Sequence, residues 1–253
     1  MPGTALTAPE PIVVVGMPPL WGLPSPSPFC TKLETWLRMA GLPYTTDVVA
    51  GPIPSRTGKI PFLRRADGRL LPDSQLIITQ LTAEHRVTLD DHLSSEQQVS
   101  AHLARRTLEE HLYYALAWER WVRPEAWPTL RDAYFAPAPG PLRPLIGGFV
   151  RRKVRGYLHG MGLGRLQPEE IVARAAEDLD ALDALLGDRE WVFGRPSSAD
   201  ALYYAFVAGI LAFPVDGPIR ELTRGHRRLV AHSTRVRARW WADAGPAPFL
   251  TGE

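Results

Sequence analysis

The stretch Ser27-Pro28-Phe29-Cys30-Thr31-Lys32-Leu33-Glu34-Thr35-Trp36-Leu37-Arg38-Met39-Ala40-Gly41-Leu42-Pro43-Tyr44 decides the fold. It reads as one helix with both ends marked. Ser27 is a candidate N-cap and Pro28 fits the first helical position, where a missing N–H costs nothing. Phe29, Leu33, Trp36, Leu37 and Ala40 share one face, and Lys32, Glu34 and Arg38 fall elsewhere. Gly41 sits where a C-terminal cap is wanted, and Pro43 prevents continuation. Upstream lies Ile12-Val13-Val14-Val15, an apolar β-branched run between Pro11 and Gly16, followed by a Pro-, Gly- and Ser-rich loop from Met17 to Ser27. An uninterrupted run of this kind predicts a strand buried on both faces.

Downstream, Tyr44 to Val49 reads as a second strand and Gly51 to Gly58 as a loop. Phe62 to Arg65 and Arg69 to Leu71 flank Asp67-Gly68, a hairpin signal. Asp73-Ser74 opens a helix running to about Glu84, with Leu76, Ile77, Gln80 and Leu81 expected inward. The order is β-α-β-loop-β-β-α, a small α/β domain over residues 11–85, and the polar segment His85 to Ser94 reads as a linker. No strand is expected beyond it. Ser95–Val122, Trp127–Phe135, Leu145–His159, Pro168–Leu186, Ser198–Phe213 and one or two helices over Gly217–Trp241 give an all-helical domain over residues 95–243. Ser198–Phe213 is apolar on nearly every face and reads as the buried central helix, with Ser197 and Asp200 as its capping box.

Composition bounds the function without naming it. The chain has 253 residues, 45% hydrophobic and 22% charged, with a formal net charge of +2. That is the profile of an ordinary globular protein. Charge so balanced does not point to nucleic acid. No segment approaches the run of about 20 apolar residues that spans a bilayer, so a membrane is not an expected partner. Met1 to Pro11 lacks the pattern of a signal peptide. A single cysteine, Cys30, excludes an intrachain disulfide and any zinc site of several thiolates, and suits the cytoplasm. The seven histidines form no close ligand pair, so no metal is expected. Gly160-x-Gly162-x-Gly164 follows a basic helix rather than a strand, which makes it an interhelical turn and not a dinucleotide loop.

Three features of the first domain carry chemistry. Ser27 to Cys30 lies at a helix N-terminus, whose free N–H groups and dipole stabilise a thiolate or another anion. Ser27 can cap the helix and face a ligand at once, whereas Cys30, one turn in, reads first as a small buried hydrophobe. In Lys59-Ile60-Pro61-Phe62, a trans Ile60–Pro61 bond would be a plain turn. A cis bond would offer the backbone N–H and C=O of Ile60 to a peptide-like ligand. Ser74 is expected as the N-cap of its helix, with its hydroxyl and N–H also able to hold a carboxylate while Asp73 takes an ammonium group.

In this order and spacing the three resemble the glutathione-binding thioredoxin-like domain of glutathione S-transferases. The stretch Ser27 to Tyr44, with Gly58-Lys59-Ile60-Pro61-Phe62 and Asp73-Ser74-Gln75-Leu76-Ile77-Ile78, is similar to the metaxin and failed-axon-connections branch. So are Gly160 to Arg165, Pro168 to Ile171 and Phe193-Gly194-Arg195-Pro196-Ser197-Ser198-Ala199-Asp200. The resemblance spans about Val14 to Arg235. It implies a thioredoxin-like α/β domain followed by an all-α bundle, a cis Pro61, and glutathione as co-substrate held by Lys59, Ile60, Pro61, Asp73 and Ser74. Ser27 would meet the glutathione sulfur as the catalytic residue, with Cys30 a secondary candidate. Ser27 stands where thiol-transferring classes carry cysteine, so a mixed disulfide with it is excluded.

The leading expectation is a cytoplasmic glutathione transferase that joins the thiolate to a small apolar electrophile, possible as a homodimer. A donated hydrogen bond and a helix dipole, jointly about 1 to 2 kcal/mol, lower a thiol pKa by about one unit. The rival is a non-catalytic scaffold of metaxin type, kept for protein contacts.

Overall fold

A computed structural model describes residues 11–49 and 53–251. The β-branched run forms β1 (Ile12–Gly16), and Ser27-Pro28 starts α1 (Pro28–Met39). Gly41, at φ 67°, takes the left-handed turn past the helix end that a side chain would resist. β2 (Tyr44–Val48) then pairs parallel with β1, Ile12 beside Tyr44 and Val15 beside Asp47. After the 53–61 loop come β3 (Phe62–Arg64), β4 (Leu70–Pro72) and α2 (Ser74–His85). The sheet order is β2-β1-β3-β4, with β3 antiparallel to both its neighbours. This is the expected thioredoxin-like arrangement. Part of the Gly51–Gly58 loop, Gly51 and Pro52, lies outside the described residues.

The chain divides after Asp91 into two compact units. In the first, α1 is buried almost all round, which the one-face reading did not anticipate. Lys32 is 2% exposed and Glu34 6%, beside fully buried Cys30, Leu33 and Leu37. Both polar groups reach partners. Lys32 Nζ donates to Gln75 Oε1 at 3.4 Å, and Glu34 Oε2 accepts from the Tyr44 hydroxyl at 3.3 Å. On α2 the buried side is Ser74, Ile77, Ile78 and Leu81, whereas Leu76 is turned outward. With Leu76, Ile77, Ile78 and Leu81 among its first eight positions, α2 offers two possible inner faces, and only packing selects one.

The second unit is helical. Ser94 caps α3 (Ser95–Thr107) in a box with Gln97, and a π-turn at Leu108–Leu112 joins it to α4 (Tyr113–Trp121). Next come α5 (Trp127–Tyr134), α6 (Arg143–Gly160) and α7 (Pro168–Leu186). Between α6 and α7 the chain makes the expected interhelical turn. A Cβ on Gly164 would stand 2.7 Å from the His159 nitrogen, so only glycine permits that approach. α8 (Ser198–Ala212) is buried at every position but Ser198 and forms the core, as its composition predicted. Its capping box is present: Asp200 Oδ2 accepts from the Ser197 backbone N–H at 2.8 Å and hydroxyl at 2.9 Å.

Two helices fill the last basic stretch, α9 (Pro218–Gly225) and α10 (Arg227–Trp240), and α11 (Pro248–Thr251) follows. The first N–H groups of α9 are met from far away in sequence, by Glu119 Oε1 on α4, 3.0 Å from the Ile219 nitrogen. The arginines of α10 are not all solvated. Arg237 is buried and donates to the carbonyls of Ala244 and Gly245 at 2.9 Å, satisfying the chain where the helix ends. Trp241 is likewise core rather than surface, and Trp240 packs edge-on against Trp191.

Candidate functional site

The three sequence features of the first unit converge on one end of the sheet. Val15 pairs with Phe62, and Phe62 with Pro72. Continuing the same registers outward brings Met17 level with Ile60, and Ile60 level with Ser74. The loop that delivers Ser27 leaves β1 at this same edge, the carboxyl end of a parallel strand, where open α/β sheets place their ligands.

The backbone there is arranged unusually. Ile60–Pro61 is cis. Neither the N–H nor the C=O of Ile60 has a hydrogen-bond partner among the described residues. An unpaired donor and acceptor at a strand end form a ready template for an extended, peptide-like ligand. The preceding segment is held in place: Ser55, 5% exposed, donates from its hydroxyl to the Lys59 carbonyl at 2.9 Å, while the Lys59 side chain is exposed.

Asp73, not Ser74, takes the cap of α2. Asp73 is the N-cap: its Oδ1 accepts from the Gln75 nitrogen at 2.8 Å and the Leu76 nitrogen at 3.0 Å. Both residue types cap well, and sequence cannot choose between neighbours. Asp73 adopts φ 74° and ψ 120°, a conformation that costs a non-glycine residue about 1–3 kcal/mol. Strain of this kind collects at ligand sites. It leaves Ser74 as the first helical residue, 3% exposed, with a hydroxyl that has no partner among the described residues. Its N–H belongs to the first turn, which no intrahelical carbonyl meets. The Ser74 hydroxyl and N–H, side by side where Asp73 has capped the next two N–H groups, can together hold a carboxylate oxygen.

Ser27 departs from expectation. It occupies the N-cap position, but its side chain makes no capping bond. Its hydroxyl lies near enough to Cys30 to act on that thiol. Burial pushes the Cys30 thiol up to about 11, and side-chain hydrogen bonds from Ser27 and Ser25 and a backbone one from Met17 offset only part of that. Cys30 is fully buried, its sulfur packed where a Cβ on Gly16 would come within 3.1 Å. At neutral pH it is a thiol, not a nucleophile.

Sequence reading missed Lys32. The helical pattern puts it off the apolar face, yet its side chain is buried and its ammonium reaches Gln75 Oε1 in the first turn of α2 at 3.4 Å. The signal available was the scarcity of lysine, three in the chain against 26 arginines. Among the described residues no group of three His, Cys, Asp or Glu side chains is placed to hold a metal ion.

These features define a class: a thioredoxin-like unit with a cis-proline and a helix N-terminus at the end of β1, followed by a helical unit. The Glutathione S-transferase N-terminal domain family matches residues 28–126, and the Glutathione S-transferase C-terminal domain family matches residues 175–236. Isoprene-epoxide–glutathione S-transferase of Rhodococcus sp. (strain AD45) is 30% identical over 243 residues, covering 90% of this chain and 99% of that one. Failed axon connections of Drosophila melanogaster is 28% identical over 234 residues (87% and 56%). Metaxin-1 of Mus musculus is 28% identical over 225 residues (85% and 71%). A glutathione S-transferase of Methylobacterium radiotolerans, solved in complex with glutathione sulfonate, superposes with a TM-score of 0.55 at 18% identity, covering 93% of this chain and 94% of that one. The chain belongs to the glutathione S-transferase family, in the branch that also holds metaxin-1 and Failed axon connections, and it has the family's fold.

One expectation is overturned here. A relative from Arabidopsis thaliana, 25% identical over 250 residues, is named mitochondrial outer membrane import complex protein METAXIN. A cytoplasmic location, inferred from one cysteine and the lack of a spanning segment, does not follow for a chain of this branch.

Proposed function

We propose that the first unit binds glutathione and that the chain works as a non-catalytic scaffold of metaxin type rather than as a transferase. The observation that carries glutathione binding is the pairing, at one sheet end, of the Ile60 backbone with the hydroxyl of Ser74, a residue 3% exposed, neither of which has a hydrogen-bond partner among the described residues. Glutathione is an extended peptide with a carboxylate at each end, and these groups complement it. The γ-glutamyl end would meet Asp73 and Ser74, and the cysteinyl backbone would meet Ile60. The scaffold half of the reading is supported by the branch relatives and by Ser27, whose side chain is engaged with a buried thiol.

A second reading keeps the transferase, favoured by the Rhodococcus relative that matches along its whole length. There the glutathione thiol would lose its proton to solvent. Its sulfur would then bond to the electrophilic carbon as the carbon–oxygen bond of an epoxide opens and the oxygen takes up a proton. Calorimetric titration with glutathione and a conjugation assay with a small apolar epoxide separate the readings. Binding in the millimolar range, with no rate above that of free glutathione, is the expected result. A rate above background that falls at least tenfold in Ser27→Ala establishes the transferase instead. No binding at about 10 mM in a folded sample removes both.

A further inference from the structure

The inner side of α6 is clamped and its outer side is bare. Gly147 meets α5 so closely that a Cβ would stand 3.2 Å from Arg131 and 3.3 Å from Phe135. Arg151 donates to the Trp121 and Val122 carbonyls at 2.8 and 3.0 Å and lies over the Trp127 ring. Near the other end Leu158 is 1% exposed. The helix is therefore a fixed platform, not a loose segment.

Its outward face is divided along its length. Leu142, Leu145, Ile146 and Phe149, spaced i, i+3, i+4 and i+7, form an apolar stripe over the first turns, with Leu145 70% and Phe149 72% exposed. Exposure of this size on neighbouring large side chains is rare unless something covers them. Along the same face the stripe gives way to Arg152 and Lys153, with Arg155 on the flank; all three are exposed and pair with no carboxylate among the described residues. No aspartate or glutamate occurs in the helix. Elsewhere in this unit some exposed arginines find acids, as Arg106 finds Glu110 and Arg228 finds Asp183, whereas Arg174 and Arg227 pair with none among the described residues; α6 differs in carrying its cations beside an apolar stripe.

We propose that this face of α6 docks on an anionic phospholipid surface, the apolar stripe entering the acyl boundary and Arg152 and Lys153 meeting lipid phosphates. Charge complementarity and the adjoining apolar wedge together select this occupant. A nucleic acid would reward the cations but not Phe149 and Leu145, whereas an interfacial helix uses both. Among the described residues no helix is long and apolar enough to cross a membrane, and surface docking requires none. The inference is independent of the glutathione site and departs from the expectation that a membrane is no partner.

Co-sedimentation of the full chain with phosphatidylcholine vesicles, with and without about 30% phosphatidylglycerol, tests it. The anionic vesicles should bind at least tenfold more tightly, and raising the salt to about 0.5 M should weaken binding. Leu145→Ser/Phe149→Ser and Arg152→Glu/Lys153→Glu should each reduce it at least tenfold, with unchanged melting because all four side chains are exposed. Absence of vesicle binding, or binding that both double variants retain, overturns the proposal. So does a wild-type dimer that Leu145→Ser/Phe149→Ser converts to monomer without any vesicle binding, which would make the face a contact between copies.

Discussion

Glu34 is a carboxyl buried in a helix that its sequence portrays as half exposed. Burial pushes its pKa up to about 7, against the opposing effects of the Tyr44 hydroxyl and the Arg38 cation. In the unfolded chain the same group titrates near 4.3. An acid whose pKa is higher when folded binds more protons in the folded state between those values. Its stabilising contribution is thus complete below about pH 4 and is lost as pH rises to 7. Replacing it with the neutral isostere, Glu34→Gln, should flatten that dependence and leave the variant more stable at pH 8 by an amount on the order of 2 kcal/mol. Urea unfolding midpoints between pH 5 and 8 check this, and parallel slopes for both proteins would show that Glu34 is not the titrating group. The residue scale is also where the site was half legible. Pro61 and Asp73-Ser74 stood out as motifs, because proline and capping residues carry backbone meaning in their chemistry. The Ser27 hydroxyl turning to Cys30, and Asp73 rather than Ser74 taking the cap, are choices between equal local options that only packing settles.

Elements whose ends carry covalent constraints were read closely. α1 and α7 begin at Pro28 and Pro168 as expected, since a proline at the first position fixes φ and forgoes a bond that is missing anyway. The π-turn at Leu108–Leu112 was invisible, because one extra residue per turn leaves a continuous helical pattern nearly unchanged. The capping box of α8 was readable as Ser197 and Asp200, but its extent was not. Asp200, with no exposure, also accepts from the Val192 nitrogen at 2.9 Å and approaches His232 Nε2 at 2.8 Å, tying a loop and α10 to the start of the core helix. Asp200→Ala would strand the fully buried His232 and the Ser197 and Val192 donors together. Its expected cost is about 3–5 kcal/mol, well above the ~1 kcal/mol of an ordinary cap. Thermal melts by circular dichroism should fall by about 6–20 °C. A loss below about 1 kcal/mol would mean that the contacts of Asp200 beyond the cap contribute nothing.

On the scale of the whole molecule, two units with separate cores need not melt as one, and ligand linkage can show which of them holds glutathione. The variants above serve as markers: Glu34→Gln perturbs the first unit and Asp200→Ala the second. For a Kd of about 1 mM, glutathione at about 10 mM stabilises whatever binds it by about 1.4 kcal/mol. That raises the melting point by about 3–6 °C if the chain unfolds as one and by about 6–11 °C if the first unit unfolds alone. The transition that rises should be the one Glu34→Gln shifts. Ser74→Ala should remove most of the rise, because it deletes a hydroxyl that has no partner among the described residues. Ser27→Ala should leave the rise intact, since that side chain serves Cys30 rather than the ligand. If Ser27→Ala instead abolishes the rise as fully as Ser74→Ala, the Ser27 hydroxyl must turn outward to the glutathione sulfur when ligand arrives. The scaffold reading would then give way to the transferase, because a hydroxyl held against the sulfur lowers the thiol pKa and raises the fraction of nucleophilic thiolate.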